Sequence, residues 1–342
     1  MNLCLLALPL ALLFQDPQPP GGKQESVTTS AAATVYENLE KQIQAIRRPG
    51  NREEEAKRAE QVRSLTKAAL TENAAVLASG DGLHWRGKIE ALAGDHYAAT
   101  SSFEGHAAEA KADPKLVASS KVQLASLKLR TSPEAAKAIL AGVNKSMLDD
   151  AAFRQFKDVD RTIRAPEIRT ALTGKSVPAI DVIRALNTPK GFEVNKLQGK
   201  VVVLDFWATW CQPCRALIPN LVALQDKHGK DNLQVVGLTR FYGNGMDFAA
   251  TALPPHGGKM VAEIDKETEV SVNESFVKAF QINYPILFTH EDLATDVFGV
   301  SGVPTTFVIG RDGKIVGHVV GGEHNRVSAL VETALNAVSN GK

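Results

Sequence analysis

Cys211-Gln212-Pro213-Cys214 stands directly after the apolar run Val201-Val202-Val203-Leu204-Asp205-Phe206-Trp207. Two thiols two residues apart, where a buried strand meets a helix, can close a small disulfide and reopen it, the minimal apparatus for thiol–disulfide exchange. Cys211 is expected at the N-terminus of the following helix, where free backbone N–H groups and the helix dipole favour a thiolate and bring the thiol below the ~8.5 of a free cysteine. It is therefore the candidate nucleophile. Cys214, one turn further in and more buried, is the candidate resolving thiol. Asp205 interrupts the otherwise apolar strand. A carboxylate there is costly unless its pKa is raised, and a raised pKa suits proton exchange with a buried thiol. A strand-end aspartate pointing to water is the competing reading. Far downstream, Gly302-Val303-Pro304-Thr305-Thr306-Phe307 places a proline before a β-rich run, where it can hold a tight cis turn.

The totals narrow the field. At 342 residues the chain is too long for one ordinary core and calls for two domains plus a leader. A hydrophobic content of 44% and a charged content of 23% are those of a globular protein. The formal charge of +1 argues against a nucleic-acid footprint, so no nucleic-acid partner is expected. Only three cysteines occur. They cannot build a disulfide-stapled scaffold or a four-cysteine zinc site, and no metal or cofactor is expected. No histidine follows Cys214, which removes c-type haem attachment.

Three segments are expected. Residues 1–22 read as a signal peptide and linker: Leu3–Phe14 is apolar and too short to span a bilayer, although no Lys or Arg precedes it and no clean small-x-small cleavage site follows. Export to the periplasm or another extracytoplasmic compartment follows from that reading. Residues 25–165 are rich in Ala, Lys, Glu and Gln, and read as an all-α helical-hairpin domain. Gly94-Asp95-His96-Tyr97-Ala98-Ala99 with Phe103, Ala107 and Asp113-Pro114 matches one tetratricopeptide-like unit, with an Ala-rich bundle as the plainer alternative. His84, His96 and His106 are expected to be surface or packed side chains rather than a metal site, with 84 and 106 far apart in helical phase. After Ala165-Pro166 a linker is expected, and residues 176–342 form the second domain.

In that second domain the runs Val201–Phe206, Leu233–Leu238, Thr305–Ile309 and Ile315–Val320 read as strands, with Leu217–His228 and Val327–Val338 as helices. Phe192–Leu197 reads as a short β-element, and Pro285–Phe288 as a strand at an edge. Gly243–Gly258 is a Gly/Pro-rich excursion, Asn273–Phe280 a helix, and Lys266, Glu267 and Glu269 a solvated face. His228, His256, His318 and His324 are given solvated or structural roles.

Asp205-Phe206-Trp207-Ala208-Thr209-Trp210-Cys211-Gln212-Pro213-Cys214, with Gly302–Phe307 and Asp312-Gly313-Lys314 downstream, resembles the thioredoxin fold, and most of all the TlpA/ResA-type thiol–disulfide oxidoreductases. The likeness covers about Val177 to Val338 and stops short of the helical half. It implies an α/β thioredoxin-like domain, a mixed sheet flanked by helices, with a β-hairpin before the motif. It also implies that Asp205 assists deprotonation of Cys214 and that Pro304 is cis and faces the dithiol. Val303 would present backbone groups to an extended substrate. Trp210 would line the substrate groove while Trp207 serves the core, and Gln212 and Pro213 would tune the dithiol potential. The expected partners are protein disulfide substrates and a membrane thiol electron donor, with a protein partner for the helical domain. Reduction of protein disulfides is the leading function. Oxidation or isomerisation, and a non-catalytic partner-binding scaffold, are the alternatives.

Overall fold

Ser30, whose side chain accepts from the Ala33 N–H, caps the first helix, and Ala32, Ala33, Tyr36 and Leu39 return at helical spacing to bury one face of it. In the computed structural model, which describes residues 30–46, 52–190, 192–229, 232–248, 254 and 257–337, this helix α1 (Ala31–Ala45) is followed by α2 (Arg52–Glu72), α3 (Gly82–Leu92) and α4 (His96–Ala108). These belong to the first of two compact units, Met1–Lys111; the second is Ala112–Lys342. The leader expected at residues 1–22, with Cys4, lies outside the described residues, as does His256.

In the first unit Tyr36, Leu39, Leu77 and Ile89 form the apolar centre. Helices α3 and α4 close on one another because Gly87 has no side chain: a Cβ there would lie 2.8 Å from the Phe103 ring. Inside this hairpin the Ser102 hydroxyl donates to Glu90 at 2.6 Å, and Arg86 pairs with the same carboxylate at 2.8 Å. His84 and His106 are both buried, their rings 5.7 Å apart, and His106 Nε2 lies 3.2 Å from Asp81. Helical phase alone sets these two histidines apart, yet antiparallel packing of α3 on α4 brings them together. Both are packed side chains, as expected.

Burial, with Lys88 and His106 adding unfavourable positive charge, pushes the His84 imidazole from 6.5 down to about 3. A histidine held neutral in the fold gives full stability above its unfolded pKa and loses it as pH falls toward the folded value. The first unit should therefore weaken by about 1.4 kcal/mol per pH unit below about 6.5. Hydrogen exchange over residues 82–108 in the full chain, compared at pH 7 and about pH 4.5, should show protection falling in α3 and α4. A His84→Phe variant should flatten that dependence.

The second unit opens with α5 (Pro114–Lys128), α6 (Pro133–Ala141) and α7 (Asp150–Leu172). Their shared core contains Val122, Leu140, Val143, Phe156 and Val159. The first two helices start at the prolines expected, with the Asp113 side chain capping α5. Helix α7 departs from expectation, because it runs straight through Ala165-Pro166 where a linker was expected. Pro166 removes its own N–H from the ladder and crowds the carbonyl one turn back, and Ala152, Phe156, Val159, Ala165 and Arg169 offset this with a buried face on both sides of it.

A six-stranded sheet follows: β1 (Val182–Leu186), β2 (Val201–Phe206), β3 (Leu233–Thr239), β6 (Ile286–Thr289), β7 (Thr305–Ile309) and β8 (Ile315–Val320), in the spatial order β1-β6-β3-β2-β7-β8. Strands β2, β3 and β6 run parallel, while β1, β7 and β8 pair antiparallel to their neighbours. A separate two-stranded pairing joins β4 (Asn244–Asp247), inside the Gly/Pro-rich excursion, to β5 (Lys259–Ala262), just after it. Helices α8 (Gln212–His228), α9 (Lys266–Ala279) and α10 (His324–Asn336) complete the unit. Val201, Val203, Val235, Phe288 and Val308 pack one face of the sheet against α8, α9 and α10. Val202, Leu204, Phe206, Leu238 and Phe307 pack the other face on Phe298, Val300 and Ile180. A mixed sheet buried on both faces is the thioredoxin-like arrangement the sequence implied.

Five local expectations need correcting. Residues 194–196 form a short 3₁₀ turn rather than a β-element, and among the described residues no hairpin precedes the motif, because β1 pairs with the distant β6. Strand β6 is interior rather than at an edge, and all four of its residues are buried. Helix α9 begins at Lys266, capped by the Asp265 side chain, not at Asn273. Glu269 is not on a solvated face: it is 2% exposed and accepts the backbone N–H groups of Tyr242 and Gly243, each at 2.9 Å. Two inward-facing amides in the turn after β3 require a buried acceptor, and Glu269 supplies both oxygens.

Candidate active site

Strand β2 delivers the motif and α8 carries it. Cys211 is the N-cap of α8, and the Cys214 N–H donates to its sulfur at 3.2 Å. This amide donor would also stabilise a thiolate at Cys211, in line with the N-terminal position expected for it. The two cysteines are joined in a disulfide, with their Cα atoms 5.2 Å apart. Both cysteines sit deep, Cys214 with no exposure and Cys211 with 4%, while Gln212 and Pro213 between them are exposed.

The second side of the site comes from the loop before β7. The Val303–Pro304 bond is cis, and the Val303 carbonyl oxygen lies 3.5 Å from Cys211 Sγ. Thr305 braces the turn by donating to the Gly302 carbonyl at 2.8 Å, and Pro304 O accepts from the Gly321 N–H at 2.8 Å. The geometry thus brings Cys211, Cys214, Val303 and Pro304 to one place. A backbone carbonyl beside the outer sulfur is where an extended peptide could align with this loop.

Asp205 is 1% exposed and shares a face of β2 with Val203 and Trp207, the face covered by α8. It does not reach water, which settles the competing reading of this residue. Its partner is Thr306, directly opposite in the β2–β7 register, whose hydroxyl donates to the carboxylate at 2.9 Å. Burial pushes the Asp205 carboxyl from 3.8 up to about 7, with the Thr306 hydrogen bond pulling the other way. Tyr284, also fully enclosed, has its phenol pushed up by burial and by the Asp205 charge. A carboxyl that titrates near neutrality can give and take a proton at neutral pH, the property that the expected exchange with the Cys214 thiol requires.

The two tryptophans differ in burial. Trp207 is 2% exposed and packs on Phe276. Gly237 on β3 makes room for it, since a Cβ there would lie 2.9 Å from the indole nitrogen. Trp210 is partly buried, and its ring meets Tyr242 edge-on at 5.3 Å. Both indoles help line a cavity of about 330 Å³ that also includes Val303.

Several residues here had no readable signal in the motif. Tyr242 is placed by Glu269, and Thr209 by the Met246 N–H, which donates to its hydroxyl at 2.9 Å. Thr306 lies in the quoted Gly302–Phe307 run, and the register against β2 was the missing information. Tyr284, Arg240 and Arg161 come from separate parts of the chain and gave no spacing clue. Among the described residues, no cluster of three or more His, Cys, Asp or Glu side chains is placed to hold a metal ion.

Comparison with known proteins agrees with this geometry. The Redoxin family model matches residues 172–335. The thiol–disulfide oxidoreductase ResA of Bacillus subtilis (strain 168) is 29% identical over 153 residues, covering 45% of this chain and 69% of the relative. ResA of Bacillus anthracis is 26% identical over 132 residues, covering 39% of this chain and 61% of the relative. The sporulation thiol–disulfide oxidoreductase A of Bacillus subtilis (strain 168) is 22% identical over 139 residues, covering 40% of this chain and 70% of the relative. The matched length thus falls short of each relative, and the helices before residue 172 lie outside the family match. Within those bounds, residues 172–335 of this chain are a Redoxin domain of the thiol–disulfide oxidoreductase kind.

Proposed function

We propose that the chain is an exported thiol–disulfide oxidoreductase that reduces protein disulfides through Cys211 and Cys214. The observation that carries this reading is the conjunction of a dithiol at a helix start, a cis-proline loop 3.5 Å from the outer sulfur, and a buried carboxyl titrating near about 7. In the reduced protein the Cys211 thiolate attacks one sulfur of a substrate disulfide. A Cys211–substrate bond forms, the substrate S–S bond breaks, and the departing thiolate takes a proton. Asp205 in its carboxylate form then accepts the Cys214 proton, and the Cys214 thiolate attacks Cys211 Sγ. The mixed disulfide breaks, the second substrate thiol leaves, and two electrons have passed to the substrate. In this reading the Cys211–Cys214 disulfide is the product state.

Trp210, Gln212, Pro213, Val303 and Pro304 form the substrate-facing rim in this reading. The apolar leader supports export, and an oxidising compartment then demands an electron donor, for which a membrane thiol-transfer protein is the natural class. Residues 25–165 are proposed as a helical domain that recruits a protein partner. Among the described residues no helix is long and apolar enough to cross a membrane.

Direction is tested by equilibrium titration of the Cys211/Cys214 couple in defined thiol buffers, read by thiol trapping and mass spectrometry. A potential at or below roughly −230 mV is the expected result and places the protein with the reductants. A value near about −120 mV would place it with the oxidants and overturn the reductive assignment.

A further inference from the structure

The cavity beside the dithiol has a wall that the family match does not contain. Asp158, Arg161 and Thr162 of α7 line it together with Trp210 and Val303. Arg161, only 16% exposed, reaches three carboxylates: Glu291 and Asp292 at 3.2 Å each and Asp296 at 3.3 Å. Glu291 uses its other oxygen to hold Arg240 at 2.7 Å. The Arg240 guanidinium stands 4.6 Å from the Tyr242 ring centre, and that ring meets Trp210 edge-on. Trp210 adjoins Cys211 in the chain. An unbroken set of contacts therefore runs from α7 to the residue beside the attacking sulfur. Both arginines that line the cavity are engaged by Glu291 rather than held open for an anionic ligand. Phe206, Trp207, Leu238 and Val300 add apolar surface. Such a chamber accepts an uncharged aromatic or aliphatic side chain against its apolar wall.

We propose that Arg161 is a positioning residue that sets substrate selectivity: through Glu291 and Arg240 it holds the Tyr242–Trp210 wall of a pocket that takes an apolar side chain next to the substrate's disulfide cysteine. The proposal rests on the disulfide-reductase reading above. Arg161 touches neither sulfur. Removing its charge takes from Asp292 its cation and from Glu291 its link to α7, while Arg164 stays on Asp296 at 3.3 Å and Arg240 on Glu291 at 2.7 Å, so the Glu291–Arg240 pair loses its anchor and the wall it supports loosens.

The test uses the full chain, reduced beforehand, and peptides whose single cysteine is disulfide-linked to a small thiol. The peptides differ only in the residue before that cysteine: Phe, Leu or Gly. The wild type should prefer Phe and Leu over Gly by about tenfold in kcat/KM, chiefly through KM. Arg161→Met should bring all three to within about twofold of each other. Its rate on hydroxyethyl disulfide, which has no side chain to place, should fall far less than its kcat/KM on the Phe peptide. Arg161→Lys should restore part of the preference. Glu291→Gln, which keeps the side-chain shape, should reproduce the loss and guards against a misfolded Arg161 variant. A wild type with no Phe preference, or variants that keep it in full, would overturn the proposal. Failure of the wild type on hydroxyethyl disulfide itself would instead overturn the reductase reading, and this proposal with it.

Discussion

Replacing Cys214 with serine should strand the protein on its substrates as covalent mixed disulfides. Cys211 remains at the cap of α8 with the amide of residue 214 still aimed at its sulfur, so attack on a substrate disulfide proceeds. What is lost is the thiol positioned to break the resulting bond. A serine hydroxyl is not a substitute, because thiolate attack on sulfur is the step that resolves the intermediate. Non-reducing electrophoresis and mass spectrometry of cell extracts should show adducts that collapse on adding dithiothreitol. Cys211→Ser should show none, and its turnover on any disulfide should fall by at least about 10³-fold, the scale set by removal of a catalytic nucleophile. The pair of variants also separates the enzyme from a scaffold. If Cys211→Ser retained every cellular phenotype, the dithiol would be structural and the helical domain would carry the function.

The fold of the second unit is readable because its signals are local and physically strict. Val201–Phe206 is buried on both faces, and β-branched runs of that length, punctuated by Gly and Pro, have few other ways to be satisfied. The motif and its cis-proline partner, 90 residues apart in sequence (304 − 214), each carry a recognisable pattern, and the sheet brings them together. What escapes a sequence reading depends on non-local pairing. Strand β6 reads as an edge because nothing in Ile286–Phe288 tells that β1, from the far side of the motif, will cap it. Glu269 reads as solvated because its neighbours Lys266 and Glu267 are charged. Its burial follows from two amides in a loop about 26 residues upstream, which sequence spacing cannot show. Pro166 reads as a helix stop. Proline forfeits one hydrogen bond, whereas α7 gains a buried face on both sides of it, and tertiary packing outweighs local propensity. Arg161 belongs to the same class of miss, since its three carboxylate partners lie 130 or more residues away.

Asp205→Asn should stabilise the oxidised protein and slow its catalytic cycle, and the two effects share one cause. The folded-state carboxyl is raised from 3.8 to about 7 by burial, so the folded protein holds this proton over a range where the unfolded chain has released it. The sign follows directly. The contribution of Asp205 is intact below about pH 4, declines as pH rises between about 4 and 7, and is fully lost above that. The loss amounts to about 4 kcal/mol, from a shift of about three units at about 1.4 kcal/mol each. Asparagine carries no such penalty and keeps an acceptor for the Thr306 hydroxyl. Chemical denaturation of the oxidised variant should therefore match wild type near about pH 4 and exceed it by several kcal/mol at about pH 8. Catalysis should move the opposite way. Asparagine cannot accept the Cys214 proton, so resolution of the mixed disulfide should slow by about 10²-fold at pH 7, the usual range for loss of a general base. The formation of that intermediate by Cys211 should be nearly unaffected. Stopped-flow measurement of both steps distinguishes the roles: a variant slowed equally in both would place Asp205 in the packing of the site rather than in proton transfer. The wild-type resolution rate should rise with pH through an apparent pKa near about 7, and that inflection should vanish in the variant.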